Sequence, residues 1–172
     1  MPPSWGHFFC GLRAYRTRTV RLRTQHYINR KGGTPSMGYY MTQRNSVFHI
    51  SAEQQDAALA AIQALAGTET IHDSSGHHFS WVADDFVQRT TLKDILDDWR
   101  WEPIYDEATG DIVDMTFAGE KLGDDFVILM AIAPFVDAGS FLEMEGEDRA
   151  IWRWVFDGQT VTEEYTQIVW KP

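Results

Sequence analysis

Leu92, Ile95, Leu96 and Trp99 recur at i, i+3, i+4 and i+7, which sets four apolar side chains along one side of a helix. Thr91 with Asp94 supplies a capping start, Asp94, Asp97 and Asp98 point away from the apolar side, and Pro103 prevents continuation. A second helix is predicted behind Ser51 and Gln54, which have the spacing of a capping box. Leu59, Ile62, Leu65 and Ala66 follow at helical intervals, and Gly67 closes it. A third, over Phe126–Ala133, is apolar on every side, follows Asp124-Asp125 and stops at Pro134. A helix without a polar side belongs at the centre of a core or under a partner.

Alternation marks the strands. Val113, Met115 and Phe117 alternate with Asp114 and Thr116, the signature of a half-buried strand. With Trp101–Tyr105 it forms a hairpin around residues 106–111. Met41–Ile50 reads as a strand, Phe79–Val82 as a short one, and Ser140–Glu145, Ala150–Phe156 and Thr160–Trp170 as a meander turning at Asp157-Gly158. Strand, helix, strand, helix, hairpin, helix and three strands together predict an α+β domain: an antiparallel β-sheet with about three helices packed mainly on one face.

Charge divides the chain. Residues 1–36 hold seven basic residues and no acid; residues 37–172 hold the other eight basic residues and all 25 acids, a formal charge of −17. A basic preface of this kind suits a nucleic-acid-binding arm or a targeting peptide. Lys31-Gly32-Gly33, three codons ahead of Met37, can also be encoded by a purine-rich ribosome-binding sequence. On that reading Met37 is the start, residues 1–36 are translated upstream sequence, and 37–172 is a single acidic α+β domain. The one cysteine, Cys10, lies in the preface, so the body has no thiol chemistry. No apolar run approaches the roughly 18 residues that span a bilayer, and a cytoplasmic protein without a membrane partner is expected.

Four constellations bear on function. His72, His77 and His78, with Asp73, could ligate zinc or nickel, although their spacing matches no standard metal motif and equally describes a polar loop. Glu143, Glu145, Glu147 and Asp148 could hold a divalent cation or serve a metal-dependent hydrolase, or form a solvated hairpin end. Trp152, Trp154 and Phe156 share one side of a strand and could stack a small ligand or nucleotide, though core packing explains them as well. A charge of −17 argues against direct nucleic-acid binding by 37–172. Finally, Asp84, Asp85, Asp94, Asp97 and Asp98 could imitate a phosphate backbone and contact a host protein with a basic surface. No phosphate loop, nucleophile elbow or dinucleotide fingerprint is present, and neither a catalytic residue nor a cofactor is expected.

The segments Met37-Gly38-Tyr39-Tyr40, Phe79–Val82, Thr91–Pro103, Gly119–Asp125, Ala131–Phe135 and Gly146–Asp148 with Trp152–Phe156 resemble a group of uncharacterised small acidic proteins of bacteria and their phages. The resemblance covers nearly all of 37–172 and none of 1–36, and implies no residue roles. It implies a context: a small phage- or prophage-encoded accessory protein. Joined with the acidity, it leads to the expectation of a non-enzymatic interaction protein that inhibits a host defence or nucleic-acid-processing protein.

Overall fold

The computed structural model describes residues 38–67 and 78–166, all within one compact unit, Pro35–Pro172. Along the chain run β1 (Met41–Val47), α1 (Gln55–Gln63), α2 (Leu92–Asp98), β2 (Trp101–Tyr105), β3 (Ile112–Phe117), α3 (Asp125–Ile132), β4 (Phe141–Gly146), β5 (Ile151–Phe156) and β6 (Val161–Tyr165). Strands β1, β4, β5 and β6 form an antiparallel sheet in the order β1-β4-β5-β6, and β2 and β3 form a separate hairpin. The architecture is α+β, as the patterning predicts, with two sheets in place of one.

The four-stranded sheet has a buried face and an open one. Leu142, Met144, Trp152, Trp154, Phe156 and Val161 are buried, while Glu143, Glu145 and Arg153 lie on the other side, partly or fully exposed. Helix residues Ala58, Ile62, Leu92, Ile95, Leu96, Ile128, Leu129 and Ile132 join the same core. Aromatic contacts tie the layers: Phe48 meets Phe156 edge-on at 5.6 Å, and Trp101 meets Trp154 at 6.1 Å.

Gln43 joins the two sheets. It sits where β1 shifts register against β4, and its carboxamide does for β3 what a strand backbone would. Nε2 donates to the Met115 carbonyl at 2.8 Å, and the Phe117 N–H donates to Oε1 at 2.6 Å. Just ahead, Tyr39–Met41 lies between two neighbours. Leu122 N–H donates to Tyr39 O and Met41 N–H to Glu120 O on one flank; Glu147 N–H donates to Tyr40 O on the other.

Local details depart from the sequence reading. Phe79–Val82 is a turn rather than a strand: Phe79 and Val82 are buried, but Trp81 between them has φ 68° and faces solvent. Ser51 makes no side-chain cap; the Ala52 N–H donates instead to the Asp111 carboxylate at 2.7 Å, supplied from the hairpin. α1 runs into a 3-10 turn at Ala64–Gly67, without a left-handed Gly67. Gly158, with φ 86°, and Gln159 occupy the β5–β6 tip, one residue beyond the expected pair. Asp157 accepts there from the Gln159 and Thr160 N–H groups. At α2, Thr91 Oγ1 accepts from the Asp94 N–H at 3.1 Å, as the sequence predicts.

Candidate interaction surface

The acids of α2 are largely engaged with nearby groups. Lys93 pairs with Asp97 at 2.5 Å, and Arg89 pairs with Asp98 at 2.7 Å and with Asp85 at 3.6 Å. The Asp94 carboxylate accepts from the Thr91 hydroxyl, and Asp84 accepts from the His78 N–H at 3.0 Å. Asp98 holds the Arg89 pKa above its ordinary value, as Asp97 does for Lys93. The acids read as able to imitate a phosphate backbone thus stand in local ion pairs and caps, because Arg89 and Lys93 sit within reach.

His72 and His77 lie outside the described residues. His78 meets the Phe79 ring edge-on at 4.6 Å, and among the described residues no three His, Cys, Asp or Glu side chains are grouped to hold a metal ion. Three carboxylates of the Glu143–Asp148 cluster, those of Glu143, Glu145 and Asp148, are engaged as well. Glu143 meets Arg153 at 2.6 Å, and Glu145 meets Arg44 at 3.5 Å and Arg149 at 3.0 Å. Asp148 accepts from the Tyr39 hydroxyl, which holds its carboxyl below the ordinary value, helped by the Ala150 N–H. Trp152 and Trp154 are buried, and the Trp154 indole donates to Glu163 at 2.9 Å. These tryptophans are therefore core, as packing rather than stacking predicts, with Trp154 against Trp101 of β2 and Trp152 against Tyr39.

What the fold does display comes from four separate segments. Trp81 is 54% exposed and Tyr40 44%. The Lys121 ammonium stands 5.0 Å from the Tyr40 ring centroid and 5.5 Å from that of Trp81, close enough for cation–π attraction to both. Lys121 and Tyr40 are cross-strand partners in an isolated β-bridge.

Trp81 is fixed from beneath. The Ser80 N–H donates to Asp124 at 2.7 Å. A Cβ added at Gly123 would lie 3.0 Å from Trp81 Cδ1, 3.0 Å from Ser80 O and 2.7 Å from Arg100 Nη2, so only glycine lets these groups converge. Arg100 donates to Lys121 O at 2.6 Å and to both oxygens of Asp125 at 2.9 and 3.0 Å. Asp125 is fully buried and also accepts from the Trp101 indole and the Gly123 N–H. Burial pushes its carboxyl above the ordinary value, while Arg100 leads the groups that pull it back. The sequence pattern marks Asp125 only as an acid at a helix start; its cation lies 25 residues away, beyond any local pattern.

Three non-glycine residues among those described have positive φ: Trp81 at 68°, Arg100 at 67° and Arg149 at 67°. All three belong to this neighbourhood, since Arg149 lines a groove beside Tyr40. That groove, about 310 Å³, is walled by Tyr40, Met41, Thr42, Glu145, Gly146, Glu147 and Arg149. Left-handed backbone costs bulky residues energy and gathers at functional sites. No helix among the described residues is long and apolar enough to cross a membrane. No family model, curated protein or solved structure matches this chain.

Proposed function

We propose that residues 37–172 form a non-enzymatic interaction protein that binds another protein through the surface centred on Tyr40, Lys121 and Trp81. The observation that carries this reading is Trp81: a large aromatic side chain turned to solvent on left-handed backbone, beside a second exposed aromatic. Trp and Tyr anchors dominate the energetics of protein interfaces. Glu143 and Glu145, held in ion pairs with arginine, and Asp148, held by the Tyr39 hydroxyl, give the hydrolase reading no support. The body's charge of −17 favours a partner with a basic surface, steered in from a distance. Together with the resemblance to phage proteins, this supports a cytoplasmic inhibitor of a host defence or nucleic-acid-processing protein.

Capture from bacterial lysate by the full chain, followed by kinetics with the captured protein, tests the proposal. Trp81→Ala should weaken binding by at least about tenfold, with slower association contributing little, as expected for an interface anchor. Replacing Asp94, Asp97 and Asp98 with Asn should act through the association rate, by about threefold or less, because ion pairs and caps already engage these acids. Binding indifferent to Trp81→Ala would overturn the proposed surface.

A further inference from the structure

We infer that the groove beside Tyr40 receives an arginine side chain from a basic segment of the partner protein, an inference that rests on the interaction reading above. Tyr40 stands between Lys121 on one flank and Glu147 on the other, and it is Glu147 that lines the groove with it. Tyr40, 44% exposed, has the Lys121 ammonium 5.0 Å from its ring centroid, so the ring already attracts a cation. Glu145 and Glu147 line the groove beside it with carboxylates suited to the forked donors of a guanidinium.

One arginine already lines the groove. Arg149 Nη1 meets Glu145 Oε1 at 3.0 Å, while Arg44, from outside the groove lining, meets the other oxygen at 3.5 Å. The Arg149 side chain is 87% exposed and its backbone is left-handed, at φ 67°. An ion pair this exposed is weak, so the resident group marks the chemistry the groove accepts without blocking it. An incoming arginine that also stacks on Tyr40 gains a contact, and its displacement of Arg149 costs little. The charge of −17 draws in a cationic segment. Lysine, a compact ammonium without a planar fork, should be the poorer occupant.

The test titrates the full chain with blocked tetra-arginine and tetra-lysine peptides at low salt. Tetra-arginine should bind about fivefold more tightly than tetra-lysine, and Tyr40→Ala and Glu147→Gln should each weaken it by about threefold. Arg149→Ala should tighten it by about threefold by removing the resident competitor. Arg153→Ala makes the same change in net charge on the open sheet face and should shift it less than about twofold. Arg149→Gly, suited to the left-handed backbone, repeats the test if the alanine variant unfolds. Equal affinities for the two peptides, or equal responses to Arg149→Ala and Arg153→Ala, would mean general attraction to an acidic surface and would overturn the inference. Partner capture lost in Trp81→Ala without arginine preference keeps the interaction surface and rejects the groove. Arginine preference with capture indifferent to Trp81→Ala rejects that surface, and with it the role of the groove.

Discussion

The hydroxyl of Tyr39 crosses the backbone at Gly146 so closely that a Cβ there would stand 1.7 Å from its oxygen and 2.3 Å from Cζ. Gly146 pairs with Met41 in the sheet, and the Tyr39 ring lies 6.3 Å from that of Trp152. Gly146→Ala must expel the ring or move the strand, and overpacking of this kind costs about 1–3 kcal/mol. Urea unfolding should register a loss of at least about 1.5 kcal/mol. A smaller change would mean that the ring has a second place to rest.

Acid should expose the other end of the same contact. The Tyr39 hydroxyl, then the Ala150 N–H, hold the Asp148 carboxyl below its ordinary 3.8. A depressed carboxylate pKa contributes stability that is present above the unfolded value and lost as pH falls through the folded one. Tyr39→Phe should therefore destabilise at pH 7, by only about 0.5 kcal/mol because the pair is exposed. The gap from the wild type should close below pH 3.8. A gap that persists at lower pH would assign the loss to ring packing.

Arg100 and Asp125 should respond with the opposite sign. Burial raises the Asp125 carboxyl above 3.8, and Arg100 is the first group opposing that rise. Arg100→Leu leaves a buried carboxylate uncompensated, at a cost of about 3 kcal/mol at pH 7. The Asp125 pKa should then rise further. A raised carboxyl pKa favours the folded state below the unfolded value, an advantage lost as pH rises through the folded one. The deficit of the variant should shrink as pH falls from 7 and Asp125 takes a proton. A deficit that stays constant as pH falls to 3.8 would exclude protonation of Asp125 as the relief.

The elements most legible in the sequence are those whose signal is local. The Leu92–Trp99 spacing, the Thr91–Asp94 cap and the β2–β3 hairpin stand in the structure, although Val113, expected inside with Met115 and Phe117, is exposed and Ile112 is buried instead. The Ser51 cap and the Phe79–Val82 strand do not, and neither departure has a signal at its own position. Asp111 takes the capping role expected of Ser51, from 59 residues away. Phe79 and Val82 turn inward as expected of apolar residues, but left-handed Trp81 between them breaks the strand pattern. The candidate surface has no local signal at all. Tyr40, Trp81, Lys121 and Arg149 come from four segments, assembled by β1 lying beside β4 and by the loop before α3. Their only sequence mark is glycine at 123 and 146, whose reason emerges once the neighbours are known.

Trp81 allows backbone strain to be separated from recognition. Its φ of 68° suits glycine and costs other residues about 1 kcal/mol or more. Trp81→Ala keeps the strained backbone and removes the ring, its contact with Lys121 and its packing on Gly123. Trp81→Gly removes the same ring and relieves the strain, although the unfolded chain gains some freedom. The glycine variant should therefore be the more stable of the two, by about 0.5–1 kcal/mol in urea unfolding. Both should lose the partner equally, because recognition depends on the indole rather than on the backbone beneath it. Should the glycine variant prove less stable than the alanine variant, the left-handed turn holds no strain to release. Its clustering with Arg100 and Arg149 would then cease to mark a functional surface.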